Sequence, residues 1–279
     1  MNTEELKAWI GRTETVQDTV TEAPLRMLRA TLDLAPDPSP ETLPPLWHWL
    51  YFLPCAKQSE LGPDGHPRRG GFLPPVPLPR RMWAGGQLEF FHPLRIGDAI
   101  ARTSTIEDVT VKSGRSGELW FVRVRHEVSS PRGLALREFH DIVYRPEAAP
   151  GASSPGYQKA GDPQWHERVV PDDVLLFRYS ALTFNGHRIH YDRRYVTQVE
   201  GYPGLIVHGP LLATLLAGLA GRRFRGRTAA SFTFRALKPV LDLHPFDVCG
   251  ASRDADAVEL WIRDFEGHKA MSAHITFVP

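Results

Sequence analysis

The residues of this chain best suited to chemistry crowd into one stretch, Tyr179 to Gly209, where hydrogen-bonding side chains interrupt apolar, glycine- and proline-marked sequence. Asn185, His187, His190, Tyr191 and Asp192 fall within eight positions, and His208-Gly209-Pro210 opens the apolar run that follows. An imidazole titrates near neutral pH, so His190 can take a proton and return it. The amide of Asn185 is no base at ordinary pH and can only orient a partner by hydrogen bonds. A polar loop followed by a helix N-terminus supplies both an acid/base group and free backbone N–H donors.

Those residues need elements to hold them. Leu211, Leu212, Leu215, Leu216 and Leu219 recur at helical spacing with the small Ala213, Ala217 and Gly218 between them, which predicts an apolar helix that must be wrapped. Pro210 suits its first turn, where a missing N–H costs nothing. The wrapping is predicted by period-two alternation: in Leu119 to Val128, Trp120, Val122 and Val124 face one way while Phe121, Arg123 and Arg125 face the other. The chain also repeats itself. Glu118-Leu119-Trp120 recurs as Glu259-Leu260-Trp261, each followed by a turn and a second strand, 137–144 beside 271–278. Residues 88–98 likewise resemble 232–247. These repeats predict a unit made twice: a first half over 1–148, a linker over 149–163 within the Pro/Gly/Ser-rich segment Pro146 to Pro163, and a second half over 164–279. A helix over Pro44–Phe52 is the expected first-half counterpart of the apolar helix, and residues 28–33 align loosely with 179–183. The polar motif has no first-half version, so one active site per chain is expected. A sheet wrapped around a central helix, made twice, is an α+β architecture, the double hot-dog; two unrelated α+β domains are the alternative.

The motif resembles that of the MaoC-like, R-specific enoyl-CoA hydratase family of hot-dog folds, roughly S-G-D-x-N-P-x-H-x-D followed by a hydrophobic-His-Gly that starts the central helix. Asn185 falls on the family's catalytic Asp, His190 on its catalytic His, Asp192 on the trailing Asp and Gly209 on the helix-start glycine. Phe184 stands for the Gly, His187 for the Asn and Arg188 for the Pro. With an amide in place of the carboxylate, the sequence is similar to the branch of eukaryotic-type 3-hydroxyacyl-thioester dehydratases and bacterial mesaconyl-C4-CoA or itaconyl-CoA hydratases.

The resemblance implies a hydro-lyase on a coenzyme A thioester, here a short branched dicarboxylic enoyl-CoA of the itaconate-degradation type, with His190 as acid/base and Asn185 as water holder. Gly209, Arg188 and Tyr191 are the expected substrate-binding residues, Arg188 for a free carboxylate. Asp192 or Glu89 are candidates to assist His190 in place of the missing carboxylate. His187 is expected to shape the pocket and His208 to be structural. The alternatives are a 3-hydroxyacyl-thioester dehydratase of fatty-acid synthesis, with Trp47, Trp49, Tyr51 and Phe52 lining the acyl site, and a non-catalytic acyl-CoA-binding protein. His187-x-x-His190 is a weak metal signal, and no metal or cofactor beyond the thioester substrate is expected.

Composition narrows the partners. With 33 basic and 32 acidic residues, a net charge of +1 over 279 residues gives no electrostatic footprint for nucleic acid or an anionic membrane. Arg222 to Arg227 is either a coenzyme A phosphate contact or a solvated helix end. Two distant cysteines, Cys55 and Cys249, make no disulfide framework. The N-terminus lacks an apolar signal core and no apolar run approaches membrane-spanning length. A cytoplasmic homodimer of the doubled chain is expected.

Overall fold

The computed structural model describes residues 3–35, 41–114, 117–146 and 156–278. In chain order these form α1 (Thr3–Lys7), β1 (Thr13–Thr19), α2 (Glu22–Thr31), β2 (Arg80–Phe90), β3 (Ala99–Gly114), β4 (Gly117–Ser130) and β5 (Gly133–Arg145). Then follow β6 (Trp165–Val169), α3 (Asp173–Leu182), α4 (Arg193–Gln198), α5 (Gly209–Arg223), β7 (Ala229–Ala236), β8 (Phe246–Ser252), β9 (Ala257–Arg263) and β10 (Lys269–Phe277).

The ten strands make one antiparallel sheet in the order β1-β3-β4-β5-β2-β7-β10-β9-β8-β6. Read outward from the β2–β7 seam, the two sides follow the same succession, 2-5-4-3-1 and 7-10-9-8-6. The repeated tripeptide lies on β4 and β9, which hold equivalent places, and α2 and α3 follow the equivalent edge strands β1 and β6. The two sheets of the expected architecture are therefore continuous, joined from Gly85↔Arg235 to Glu89↔Ser231. Glycine is needed at the seam: a Cβ on Gly85 would lie 2.5 Å from the Phe234 carbonyl oxygen, and one on Gly86 would lie 2.8 Å from the Phe234 ring. The first part of the expected linker, 149–155, lies outside the described residues.

What lies beneath the two sides differs. Under β7–β10 sits α5, buried along Leu211, Leu212, Ala213, Leu216, Ala217, Leu219 and Ala220. Facing it, Phe232, Phe234, Val258, Leu260, Ala273 and Ile275 complete an apolar core. Under β2–β5 no long helix runs among the described residues. The helix expected over Pro44–Phe52 is a single 3-10 turn, Trp47–Leu50. Leu46 and Phe52 flank it at φ +72° and +55°, a left-handed backbone that stops helix growth at both ends. Prolines at 44, 45 and 54 remove further amide donors. The alternation along β4 is as read, with Trp120, Val122 and Val124 buried. The next inward position, however, is His126. No helix among the described residues is long and apolar enough to cross a membrane.

Candidate active site

The polar motif runs from the C-terminal end of α3 to the start of α5. Thr183 caps α3, and Phe184 turns the chain at φ +48°, which accounts for glycine at the matching family position. Asn185 follows. Its Oδ1 accepts the His187 N–H at 3.0 Å, and its Nδ2 has no acceptor among the described residues. A 3-10 turn, Arg188–His190, then buries His190.

Hydrogen bonding sets the tautomer of His190. Nδ1–H donates to the Ile206 carbonyl at 2.7 Å, so the other ring nitrogen, Nε2, carries the lone pair. Burial pulls the His190 pKa down to about 4, and the ring is a neutral base at physiological pH. His208 stacks on it at 3.8 Å between centroids and shares a 2.8 Å hydrogen bond from Nε2 with Ser180 Oγ. His208 is thus the wall that fixes the plane of His190, while its buried Nδ1 has no partner. His187 closes the other side, edge-on at 5.4 Å.

The first half contributes a loop that sequence reasoning did not find. His187 packs on His66 with centroids 4.1 Å apart, and His66 Nδ1–H donates to Asp64 Oδ2 at 3.0 Å. The loops meet at two glycines: a Cβ on Gly65 would lie 1.8 Å from the Gly186 carbonyl oxygen, so only glycine permits the contact. Ligand-capable atoms of Asp64, His66 and His187 lie within 4.8 Å of one another, and these are the site residues that could hold a cation. Burial lowers the pKa of both His66 and His187, so the cluster adjoining His190 is uncharged apart from Asp64.

The other residues singled out in the sequence divide. Gly209 is the first residue of α5, with Pro210 in the first turn. The amides there have no intrahelical acceptor, and the helix dipole favours negative charge beside them. Tyr191 donates from its hydroxyl to the Gly186 carbonyl at 3.0 Å and so braces the motif loop. Arg188 is committed elsewhere, bonding Asp192 through two nitrogens and the Pro63 carbonyl, with its guanidinium 4.1 Å from the Tyr195 ring. Asp192 caps α4 by accepting the Tyr195 N–H, besides pairing with Arg188. Glu89 pairs with Arg137 at 3.3 Å. Arg222 pairs with Glu167, and Arg227 with Asp256. None of these five charged groups is free to replace the missing carboxylate or to meet an anion without first giving up a partner.

A second polar cluster, absent from the sequence expectations, lines the inner face of the first half. Ser104 on β3, His126 on β4 and Glu138 on β5 lie in one cross-strand row. Glu138 is 2 % exposed, and its carboxylate accepts N–H bonds from His48 Nε2 at 3.0 Å, from Trp49 Nε1 at 3.0 Å and from His140 Nε2. Despite burial, contacts with His140 and His48 hold its pKa well below the usual carboxylate range. A cavity of about 120 Å³ lies against this cluster, lined by Trp49, Phe52, Arg102, His126 and His140 and also by Thr183. It therefore extends from the first half to the motif loop. Its volume is well below the ~300 Å³ at which drug-sized pockets begin, and fits a short acyl group.

Comparison with known proteins places these features. The family described as hydroxyacyl-thioester dehydratase type 2 matches residues 46–242. The chain is 48% identical, over 99% of its length and 99% of the relative's, to a mesaconyl-C4-CoA hydratase of Chloroflexus aurantiacus. A MaoC-like dehydratase from Phytophthora capsici superposes with a TM-score of 0.71 at 14% identity, covering 100% of this chain and 99% of that one. A Mycobacterium tuberculosis protein described as a double hot-dog superposes with a TM-score of 0.59 at 14% identity, covering 96% of each chain. The fold is a double hot-dog.

Proposed function

Since the chain belongs to the hydroxyacyl-thioester dehydratase type 2 family, we propose that it hydrates a short dicarboxylic enoyl-CoA, mesaconyl-C4-CoA, to citramalyl-CoA. The observation that carries the mechanism is the bond from His190 Nδ1–H to the Ile206 carbonyl, which leaves Nε2 as a buried, neutral base. Water is held by the free Nδ2 donors of Asn185 and gives a proton to His190 Nε2 as its oxygen bonds to the carbon β to the thioester. The electron pair of the double bond moves to the thioester oxygen, which meets the free amides at the start of α5 beside Gly209. His190 Nε2–H then returns the proton to the α-carbon. One water is added, and the imidazole ends neutral. A single titrating group serves as base and acid, so no carboxylate at position 185 is required.

The short, polar-lined cavity favours this substrate over the long-chain intermediates of fatty-acid synthesis. The same reading takes the enzyme as a cytoplasmic homodimer, which light scattering on the eluting protein checks for assembly. The substrate is tested by exposing the purified protein to mesaconyl-C4-CoA, itaconyl-CoA, crotonyl-CoA and a long-chain enoyl-CoA, following loss of enoyl-thioester absorbance and an 18-dalton mass gain. Hydration of mesaconyl-C4-CoA above the others, lost in His190→Ala, is expected. Preference for the long chain moves the substrate to fatty-acid synthesis, and no mass gain with any thioester removes the hydratase reading.

A further inference from the structure

The inner face of a hot-dog sheet is ordinarily core. Here β3 turns Ile100, Arg102, Ser104 and Ile106 toward it, and Arg102 is a cation among groups that otherwise satisfy one another. Glu138 takes donors from His48, Trp49 and His140, and His126 shares a 2.8 Å bond with Ser104. Arg102 makes no hydrogen bond and no ion pair among the described residues. Its Nε is buried without a partner, and its guanidinium rests 5.2 Å from the Phe52 ring centroid. That ring is itself held by a left-handed turn, with the Phe52 N–H donating to Asp18 at 2.7 Å. An arginine offers five N–H donors in a planar fork that matches a carboxylate in two places. Leaving the buried Nε donor without a partner costs free energy that an anion arriving there recovers.

We propose that Arg102 receives a carboxylate borne by the acyl group of the substrate, and so selects dicarboxylic over monocarboxylic enoyl thioesters. The proposal deepens the hydratase reading and rests on it for the identity of the thioester. Three features support the placement. The cavity that holds Arg102 reaches Thr183, two residues before Asn185, so an acyl group whose thioester lies at α5 can extend into it past the motif loop. Its volume limits the group to a few carbons. Arg188, the arginine inside the motif, is already bound to Asp192, Pro63 and Tyr195 and offers no open fork. Glu138 does not repel the incoming carboxylate as a bare anion would, because three N–H groups already converge on it.

The test compares wild type with Arg102→Met and Arg102→Lys in two measurements. The first is the ratio of kcat/KM for mesaconyl-C4-CoA over crotonyl-CoA. The second is calorimetric binding of the unreactive succinyl-CoA against butyryl-CoA. Arg102→Met is expected to lower both ratios about 100-fold, the scale of a lost hydrogen bond to a charged group, while Arg102→Lys recovers part of the loss. Because Arg102 is unpaired, the Met variant is expected to melt no lower than wild type, which separates lost selectivity from lost fold. Ratios unchanged in Arg102→Met overturn the carboxylate subsite and leave the hydratase reading standing. Arg102-dependent preference for succinyl-CoA without hydration of any enoyl-CoA does the reverse: the subsite holds and the hydratase reading falls.

Discussion

The two halves of this chain have the same strand succession and opposite interiors. In the second half the sheet closes on α5, and the facing residues Phe232, Phe234, Leu260 and Ile275 form a dry core. At the equivalent place in the first half the sheet faces Ser104, His126, Glu138 and His140 with a cavity between them. One half is rigid enough to hold an imidazole, a stacked neighbour and a helix N-terminus in register. The other has no long helix beneath its sheet among the described residues, and keeps a smaller apolar cluster of Leu6, Val76, Ile106, Trp120, Val122 and Tyr144 beside the polar cavity. On the proposed mechanism and subsite, catalytic geometry and substrate selection fall to different copies of the same unit, meeting at the motif loop.

The sharpest way to break this division is to remove one group from each side. His190→Ala is expected to lower kcat by roughly 10³-fold, within the range typical of a lost acid/base group, with some loss of melting temperature because the Ile206 carbonyl is left unpaired. Glu138→Ala leaves the N–H groups of His48, Trp49 and His140 facing a gap, and is expected to cost about 3 kcal/mol in denaturant unfolding. Activity kept by His190→Ala, or stability untouched by Glu138→Ala, would mean the halves do not divide the work as described. Acid tests both at once. His126 in the first half, and His187, His190 and His208 in the second, all have pKa values lowered by burial, as does His66 on the bridging loop. Folded, these rings stay neutral where the unfolded chain would already bind protons. Stability is therefore full above about pH 6.5 and declines as pH falls toward the lowered values, read as a falling melting temperature between roughly pH 7 and pH 5. A flat profile would mean that the rings are solvated. The smallest effect is expected at Arg188, half-exposed in its pairing with Asp192. Arg188→Ala should cost no more than about 1 kcal/mol and leave the dicarboxylic-to-monocarboxylic ratio within roughly threefold, in contrast with Arg102.

Much of the second half was legible in the sequence because its signals are periodic or local. Leucines at helical spacing fixed α5, Gly209-Pro210 fixed its start, and the eight-residue motif placed Asn185 and His190 on one loop. The repeated Glu-Leu-Trp revealed the duplication because both copies sit on equivalent strands. The first half hid its site for two physical reasons. Along β5, Arg137, Glu138, Phe139, His140 and Asp141 are polar on both faces, so alternation does not say which side is interior. Pro44–Phe52 is rich in aromatic and leucine residues, and nothing in composition reveals the left-handed turns at Leu46 and Phe52 that reduce it to one 3-10 turn. Asp64 and His66 were missed because the glycine–glycine contact that carries them to His187 joins residues more than a hundred positions apart. The unbonded fork of Arg102, which Glu14 and Glu138 reach only through space, is visible only once the fold has set the strands side by side.

The β2–β7 seam has a consequence of its own. Two separate copies of a single hot-dog unit, paired through the same strands, would be related by a two-fold axis and would present identical residues on both concave faces. Any change that opened one interior would open the other as well, and would undo the packing around the central helix. Joining the units in one chain keeps the pseudo-symmetric sheet while cancelling the requirement that its two faces match. The ratio of one reactive centre to one acyl receptacle is then a covalent property of the chain, independent of protein concentration.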